Sequence, residues 1–468
     1  MTHEEIKGKR CAIIGGKRSG IAAAKLLSRA GAYVFLSEKS VPENQATLES
    51  DLRAHGIECE FGQHSEEVFD ADFAIISPGV PSSAPVIKQL ERAQVPVYSE
   101  IELASWFCKA KIIAITGTDG KTTVTTLTKK IFEADGNENG YHAYALGNIG
   151  QPFSDTVESL SENDVAVIEI SSFQLEHCTS FRPNVTVITN ITPDHLDRYD
   201  GNIQKYAAAK YRIYQNQTAS DWLIYNDDNE ILHQHFTDPE RRASLPMKLV
   251  ALSLEKNLGD EYEHCAYKEN GRLVLKLTNE KEWLIEENQI STKQFRGQHN
   301  IYNALTAAAA ASALGIDKKF IEKSILSFEG VEHRLEFVRA VNQVDYINDS
   351  KATTVNALWY ALDTVTPKIV LIAGGRDKGN DYTKVFSFVK EKVRAVVAIG
   401  ESQEKVVQAF GNLTKVMKAF SLDEAVRLAS QEAEAGDTVL LSPACASFDM
   451  FSNFETRGKL FKEAVMNL

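Results

Sequence analysis

The sequence lacks any apolar run near the ~18 residues that a membrane span needs. Its first ten residues, MTHEEIKGKR, hold no apolar leader core. Cysteine is sparse: Cys11, Cys59, Cys108, Cys178, Cys265 and Cys445 are scattered, with no CxxC pair and no ligand spacing. That distribution excludes a disulfide framework and a cysteine zinc site, and it reads as reduced thiols. Positive charge is also short. Lys plus Arg number 51 against 64 Asp plus Glu, a net charge of −13. Nucleic-acid and membrane-surface binding need a basic stripe, so neither is expected. The expectation is a cytoplasmic protein acting on small molecules. With 468 residues, 43% of them hydrophobic, the chain has length for about three domains.

The most informative stretch is 111–131, KIIAITGTDGKTTVTTLTKKI. Ile112–Ile115 reads as a buried strand, followed by Gly117-Thr118-Asp119-Gly120-Lys121-Thr122-Thr123 and a helix-compatible segment. Loop N–H groups and the positive end of a helix dipole converge there, where a phosphate would sit. Lys121 would neutralise β/γ-phosphates, and Thr122 or Thr123 would hold Mg²⁺. Ile115 stands where the full P-loop pattern has its first glycine. A plain tight turn between strand and helix is the bland alternative.

Upstream, residues 10–14 form a strand that enters Gly15-Gly16-Lys17-Arg18-Ser19-Gly20. A helix follows from about Ile21 to Arg29, then a strand Tyr33–Leu36 ending at Ser37-Glu38. This is a Rossmann-type opening, but Lys17 replaces the glycine that lets a dinucleotide pyrophosphate approach. A different nucleotide or a purely structural unit fits better than NAD. The strand Phe73–Ile76 runs into Ser77-Pro78-Gly79-Val80-Pro81, a sharp turn where ligands bind in open α/β sheets.

Downstream, Gly147-Asn148-Ile149-Gly150 is a turn. Glu169 sits inside the otherwise continuous apolar strand that begins at Val165, where an unpaired carboxylate is costly. It is either a Mg²⁺ ligand beside the glycine loop or a surface-facing strand residue. The strand Val185–Thr189 ends in a loop with Asp194, His195 and Asp197, a candidate metal or phosphate site. Lys210 lies on the apolar face of the helix 202–214, with Ile203, Tyr206, Ile213 and Tyr214. Either it snorkels its head to water or its desolvated amine does chemistry. Segments such as Leu273–Leu277 suggest a peripheral antiparallel sheet. Asn300 and Asn303 read as exposed amides that cap an Ala-rich helix or meet a base edge.

In the last third, strands near Tyr346-Ile347, Ile369–Ala373 and Thr438–Leu441 each end in a polar turn, a pattern for a parallel sheet with a ligand at its C-terminal edge. Lys351, Lys378 and Ser447 would suit a dicarboxylate there. The fold class expected is α/β in three domains. These are a Rossmann-like domain at 1–105, a central mononucleotide-binding domain at 106–330 with a small antiparallel part, and a Rossmann-like domain at 331–468. Ligand groups spread over several domains predict closure on binding.

Taken together, GTDGKTT (117–123), EISSFQLE (169–176), NITPDHLDRYD (190–200), YAAAKYRIY (206–214), GQHNIYNA (297–304), EHRLE (332–336), NDSKAT (348–353) and SPACASFDMFSNFETRG (442–458) resemble the Mur ligase family of ATP-dependent amide synthetases. The resemblance covers essentially the whole chain. SSFQLE and SPACASFDMF are most similar to the branch that adds D-glutamate to UDP-N-acetylmuramoyl-L-alanine in peptidoglycan precursor synthesis. Branches adding L-alanine or L-glutamate, folylpolyglutamate synthetases and a catalytically silent relative are the alternatives.

The resemblance implies an acyl-phosphate route, two Mg²⁺ ions and ATP, in a monomeric enzyme. It implies Lys121, Glu169, His195 and Lys210 as catalytic. Thr122 and Glu169 would hold one Mg²⁺, with His195 and a CO₂-carbamylated Lys210 on the other. ATP would meet Thr118, Asp119, Gly120, Lys121, Thr122, Thr123, Asn300, Asn303, His333, Arg334 and Asp349. The UDP-sugar would meet Arg18, Ser19, Glu38, Lys39, Ser77, Gly79, Asn148 and His195. The amino acid would meet Lys351, Thr353, Lys378, Ser447 and Phe448. The basic Lys17-Arg18 pair departs from the glycine-rich loop of the family, though it suits a pyrophosphate.

Overall fold

Short apolar runs bounded by glycine, serine and proline become strands buried on both faces, which is what a helix-covered parallel sheet requires. A computed structural model describes residues 1, 3–194, 196–278, 280–290, 297–366, 368–377 and 379–468, the side chains of 3 and 197 excepted. Its strands are β1 Arg10–Ile14, β2 Tyr33–Glu38, β3 Ile57–Phe61, β4 Phe73–Ile76, β5 Val97–Ser99, β6 Lys111–Thr116, β7 Ala143–Gly147, β8 Val165–Glu169, β9 Val185–Ile188 and β10 Trp222–Asn226. They continue as β11 Lys248–Ser253, β12 Cys265–Glu269, β13 Arg272–Lys276, β14 Glu282–Glu286, β15 Glu336–Val341, β16 Val344–Asn348, β17 Ile369–Gly374, β18 Val393–Ile399, β19 Lys415–Lys418 and β20 Thr438–Leu441.

Among the described residues the strands form three sheets. The first is parallel, in the order β3-β2-β1-β4-β5. The second has nine strands in the order β14-β13-β12-β11-β10-β9-β6-β8-β7. It is parallel from β7 to β12, and β12, β13 and β14 continue it antiparallel at one edge. The third runs β15-β16-β20-β17-β18-β19, with only β15 antiparallel.

Two compact units contain these sheets. One is Met1–Ile290 with His299–Ser327, and the other is Ser291–Gln298 with Phe328–Leu468. Within the first unit a single hydrophobic cluster runs from Ile13 and Phe73 of the first sheet to Ala114, Ile168 and Tyr267 of the second. A buried carboxylate fastens the same junction. Glu102, on the helix Glu100–Ser105, accepts from Ser180 N at 2.8 Å, Thr179 N at 3.0 Å and Phe181 N at 2.9 Å, and also from the Thr179 and Ser180 hydroxyls and Trp106 Nε1. Glu100 accepts from Ser154 N at 2.6 Å.

In the second unit the counterpart is Arg457, fully buried on the helix Phe454–Met466. It donates to Ser350 Oγ at 3.0 Å, Ser350 O at 2.8 Å and Cys445 O at 3.2 Å, so one guanidinium ties the turn after β16 to the turn after β20. All six cysteines are free, and four of them, Cys11, Cys178, Cys265 and Cys445, are buried. Among the described residues no helix is long and apolar enough to cross a membrane.

Removing the Glu102 carboxylate orphans several buried donors at once, so Glu102→Ala should cost about 3 kcal/mol of stability in the first unit, read from urea unfolding. Burial alone raises the pKa of Glu102, but the donors from Ser180, Thr179 and Trp106 more than reverse it, leaving it below the usual carboxylate range. The wild-type contribution is therefore complete above the unfolded value, near about pH 4, and fades as pH falls through the lower folded value. Glu102→Ala should lose that acid-side slope.

Candidate active site

The loop between β6 and the helix Lys121–Asn139 is shaped by its neighbour β9. Thr118 N donates to Asn190 O at 2.9 Å and Asp119 N to Asn190 Oδ1 at 2.9 Å, while Thr189 Oγ1 donates to Asp119 O at 2.6 Å. This belt lies so close that a Cβ on Gly117, at φ +149°, would stand 1.9 Å from Thr189 Oγ1. Gly120 is left-handed, at φ +82°, and a Cβ there would stand 2.6 Å from Asn303 Oδ1. Both glycines are therefore obligatory. Thr122 and Thr123 are buried in the first turn of the helix.

Two lysines meet at one oxygen of this loop. Lys121 Nζ donates to Gly117 O at 3.0 Å and Thr118 O at 2.8 Å, and Lys210 Nζ donates to Gly117 O at 2.7 Å. Lys210 is 2% exposed on the helix Ile203–Tyr211, so its amine does not reach water. Desolvation first, and the Lys121 charge second, push its basicity well below the usual lysine range, against the opposing pull of Asp194, Asp119 and Glu169. The Tyr206 ring lies 4.5 Å from its Nζ, and Tyr206 Oη is 3.3 Å from Thr118 Oγ1.

Glu169 ends β8 beside Ile115 of β6, so the register itself carries a carboxylate to the loop. It is buried, its Oε1 accepts from Asn148 Nδ2 at 2.8 Å, and its Oε2 has no partner among the described residues. A buried carboxylate oxygen left orphaned beside a phosphate-type loop fits a hard divalent cation with oxygen ligands. Thr122 and Glu169 are the described residues that would hold it. His195 lies outside the described residues, as does Lys378.

The first sheet presents a second turn. Gly15, at φ +104°, lies against Ser77, whose Oγ donates to Gly15 O at 3.0 Å. Glu38 accepts from Gly16 N at 2.7 Å and from Ser40 N and Oγ. Burial raises its pKa, but the Ser40 and Gly16 donors win and hold it below the usual range. Arg18 and Ser19 open the helix Arg18–Arg29, and Arg18 donates to Gly150 O at 3.1 Å, joining this turn to the one carrying Asn148. Lys17 adopts an extended conformation at φ −93°, so no glycine is needed there. Lys39 and Gly79 are exposed at the same sheet edge.

In the second unit, Asn348 ends β16 beside Leu441 of β20, and Asp349 and Ser442 follow them. Asp349 accepts from Ser442 Oγ at 2.8 Å and Leu335 N at 3.2 Å. His333 is left-handed at φ +64°, its Nδ1 is 2.9 Å from Asn348 Nδ2, and its carbonyl accepts from Lys351 N at 3.0 Å. The EHRLE and NDSKAT segments thus share one edge, with Arg334 and Thr353 in it. Lys351 Nζ lies 5.8 Å from the Phe454 ring centre. Ser447 is buried and Phe448 is 60% exposed.

One expectation needs correction. Asn303 is buried rather than exposed, because its amide packs on Gly120 and donates to Asn300 Oδ1 at 3.2 Å. Sequence reasoning assigned no site role to Thr189, Asn190 or Tyr206, which hold the glycine loop, nor to Arg457. Asn190, Tyr206 and Arg457 lie inside motifs, and Thr189 ends the strand before one.

The sheet order and glycine turn define a three-sheet α/β protein with a phosphate-type loop in its central sheet. Residues 115–311 match the Mur ligase middle domain and residues 333–445 match the Mur ligase glutamate ligase domain. The chain belongs to the Mur ligase family. It is 51% identical over 465 residues to the UDP-N-acetylmuramoylalanine–D-glutamate ligase of Chlorobium limicola, covering 99% of each chain. It is 50% identical over 471 residues to the enzyme of that name from Chlorobaculum tepidum, covering 100% of each. Among solved structures, the UDP-N-acetylmuramate–alanine ligase MurC of Thermotoga maritima has the same fold, with TM-score 0.59, 20% identity and coverage of 98% of this chain and 99% of that one.

Burial raises the pKa of Asp349 to about 7, against the Ser442 hydroxyl and the Arg334 charge. Between about pH 4, where an unfolded aspartate ionises, and about pH 7, the folded state holds the extra proton. Stability of the second unit should therefore fall as pH rises through that window. Asp349→Asn should flatten the slope in urea unfolding measured from pH 4 to pH 7.

Proposed function

We propose that this chain is the ATP-dependent ligase that joins D-glutamate to UDP-N-acetylmuramoyl-L-alanine, forming an amide with release of ADP and phosphate. Full-length identity near one half to enzymes bearing that name supports the reading. The observation that carries the chemistry is the convergence of Lys121, Lys210 and Glu169 on the turn Gly117–Gly120.

The acceptor carboxylate is activated as an acyl phosphate, and the glutamate amine then displaces phosphate through a tetrahedral intermediate. Charge builds on the transferring phosphoryl oxygens, and the loop N–H groups and Lys121 meet it. On nucleotide entry Lys121 exchanges its two loop carbonyls for β/γ-phosphate oxygens. Thr122 and Glu169 would hold one Mg²⁺, and His195 and Lys210 a second. Bound there, Mg²⁺ would offset the same phosphoryl charge. Burial keeps the Lys210 amine neutral enough to add to CO₂, and loss of a proton leaves an anionic carbamate with two oxygens for metal binding. Asn303 fits the nucleotide side by its place over Gly120. The turns carrying Arg18, Ser19, Glu38, Lys39, Ser77, Gly79 and Asn148 fit the UDP-sugar. Lys351, Thr353, Lys378, Ser447 and Phe448 fit glutamate, two lysines answering its two carboxylates. ATP and a UDP-sugar as substrates fit a cytoplasmic setting.

ADP release, measured with UDP-N-acetylmuramoyl-L-alanine, Mg²⁺ and ATP, should depend on D-glutamate, with L-glutamate, L-alanine and diaminopimelate giving only background. Turnover with one of the others instead would reassign the pocket of Lys351, Lys378 and Ser447. No turnover with any of the four would remove the ligase reading.

A further inference from the structure

We infer that Asn148 is the positioning residue of the Glu169 carboxylate, holding one of its oxygens so that the other is aimed at the divalent cation of the phosphate loop. The inference rests on the proposed role of Glu169 and goes beyond the assignment of Asn148 to the UDP-sugar.

Glu169 is 2% exposed and its two oxygens are unequal. Oε1 takes the Asn148 amide at 2.8 Å, and Oε2 has no partner among the described residues. An orphaned, buried carboxylate oxygen is unfavourable unless something positive meets it. An unrestrained carboxylate would relieve that cost by rotating. Here the amide blocks the rotation, and because an amide is neutral it leaves the full negative charge for the cation. A lysine or arginine in the same place would cancel that charge.

The amide is itself fixed. Asn148 N donates to Glu169 O at 2.9 Å, so the turn is mounted on the strand end that it serves. At Gly147, φ +93°, a Cβ would stand 2.5 Å from Glu169 O, so a side chain there would force the turn off the strand. Gly147 N donates to Gln151 O at 3.2 Å, and Arg18 holds the far end at Gly150 O. Ligating carboxylates are commonly oriented by such outer hydrogen bonds, whose loss weakens metal affinity about 10–100-fold. The Asn148 amide carries a second N–H, which remains for a substrate oxygen. Substrate and metal ligand would then share one side chain.

The test is Mn²⁺ titration of the full chain with ADP present, following free Mn²⁺ by electron paramagnetic resonance. Asn148→Ala deletes the side-chain bond but keeps the backbone bond to Glu169 O. Its Mn²⁺ dissociation constant should rise about tenfold or more while circular dichroism shows the chain still folded. Asn148→Leu, similar in shape but without donors, should match it and serves if the alanine variant is unstable. Glu169→Gln should lose the site more completely. Wild-type affinity in both Asn148 variants, with Glu169→Gln weakened, overturns the positioning role and leaves the metal role of Glu169 standing. Wild-type affinity in all three removes Glu169 from the metal site, and the inference with it.

Discussion

The structure of the first unit turns on two lysine amines competing for the carbonyl of Gly117. Lys121 reaches it from the first turn of its helix and Lys210 from a helix some ninety residues further on, at 3.0 and 2.7 Å. Two cations on one oxygen repel, and in a buried site that repulsion is not screened by water. The arrangement is tolerable because the Lys210 amine gives up much of its basicity and because Asp119, Asp194 and Glu169 stand near. The Lys121 cation and the helix N-terminus suit a phosphate, and the neighbouring carboxylates suit its metal ion.

Much of the surrounding architecture keeps that carbonyl in place. Parallel neighbours in the order β9-β6-β8 end level with one another, so their C-terminal turns are forced together. The Thr189-Asn190 belt from β9 grips the loop from one side, and Glu169 arrives from β8 on the other. Glu102 and Arg18 join the first sheet to the second at separate places, and the turn bearing Asn148 is held by Arg18 on one side and by the end of β8 on the other.

The sequence made the chemistry legible where residues break their local pattern. A carboxylate closing an apolar strand, a lysine on an apolar helix face and two glycines bracketing Thr118-Asp119 each conflict with the simplest packing rules. Such conflicts collect at functional sites. Strand ends such as Phe73–Ile76 and Thr438–Leu441 were legible for a different reason, since short apolar runs between turn residues have few other solutions. What remained hidden acts through tertiary hydrogen bonds made by ordinary residue types. Thr189, Asn190 and Tyr206 belt the loop, and Glu102 and Arg457 fasten turns distant in sequence. Asn303 looked exposed because nothing in a helical amide tells whether a glycine turn will pack on it.

In the proposed mechanism desolvation makes the Lys210 amine reactive at the edge of the phosphate loop. The direct measurement is ¹³C NMR of the full chain equilibrated with ¹³C-bicarbonate and Mg²⁺. A carbamate carbonyl resonance of one equivalent is expected, and it should be missing in Lys210→Ala. A spectrum without that resonance, or one that Lys210→Ala leaves unchanged, would contradict that mechanism.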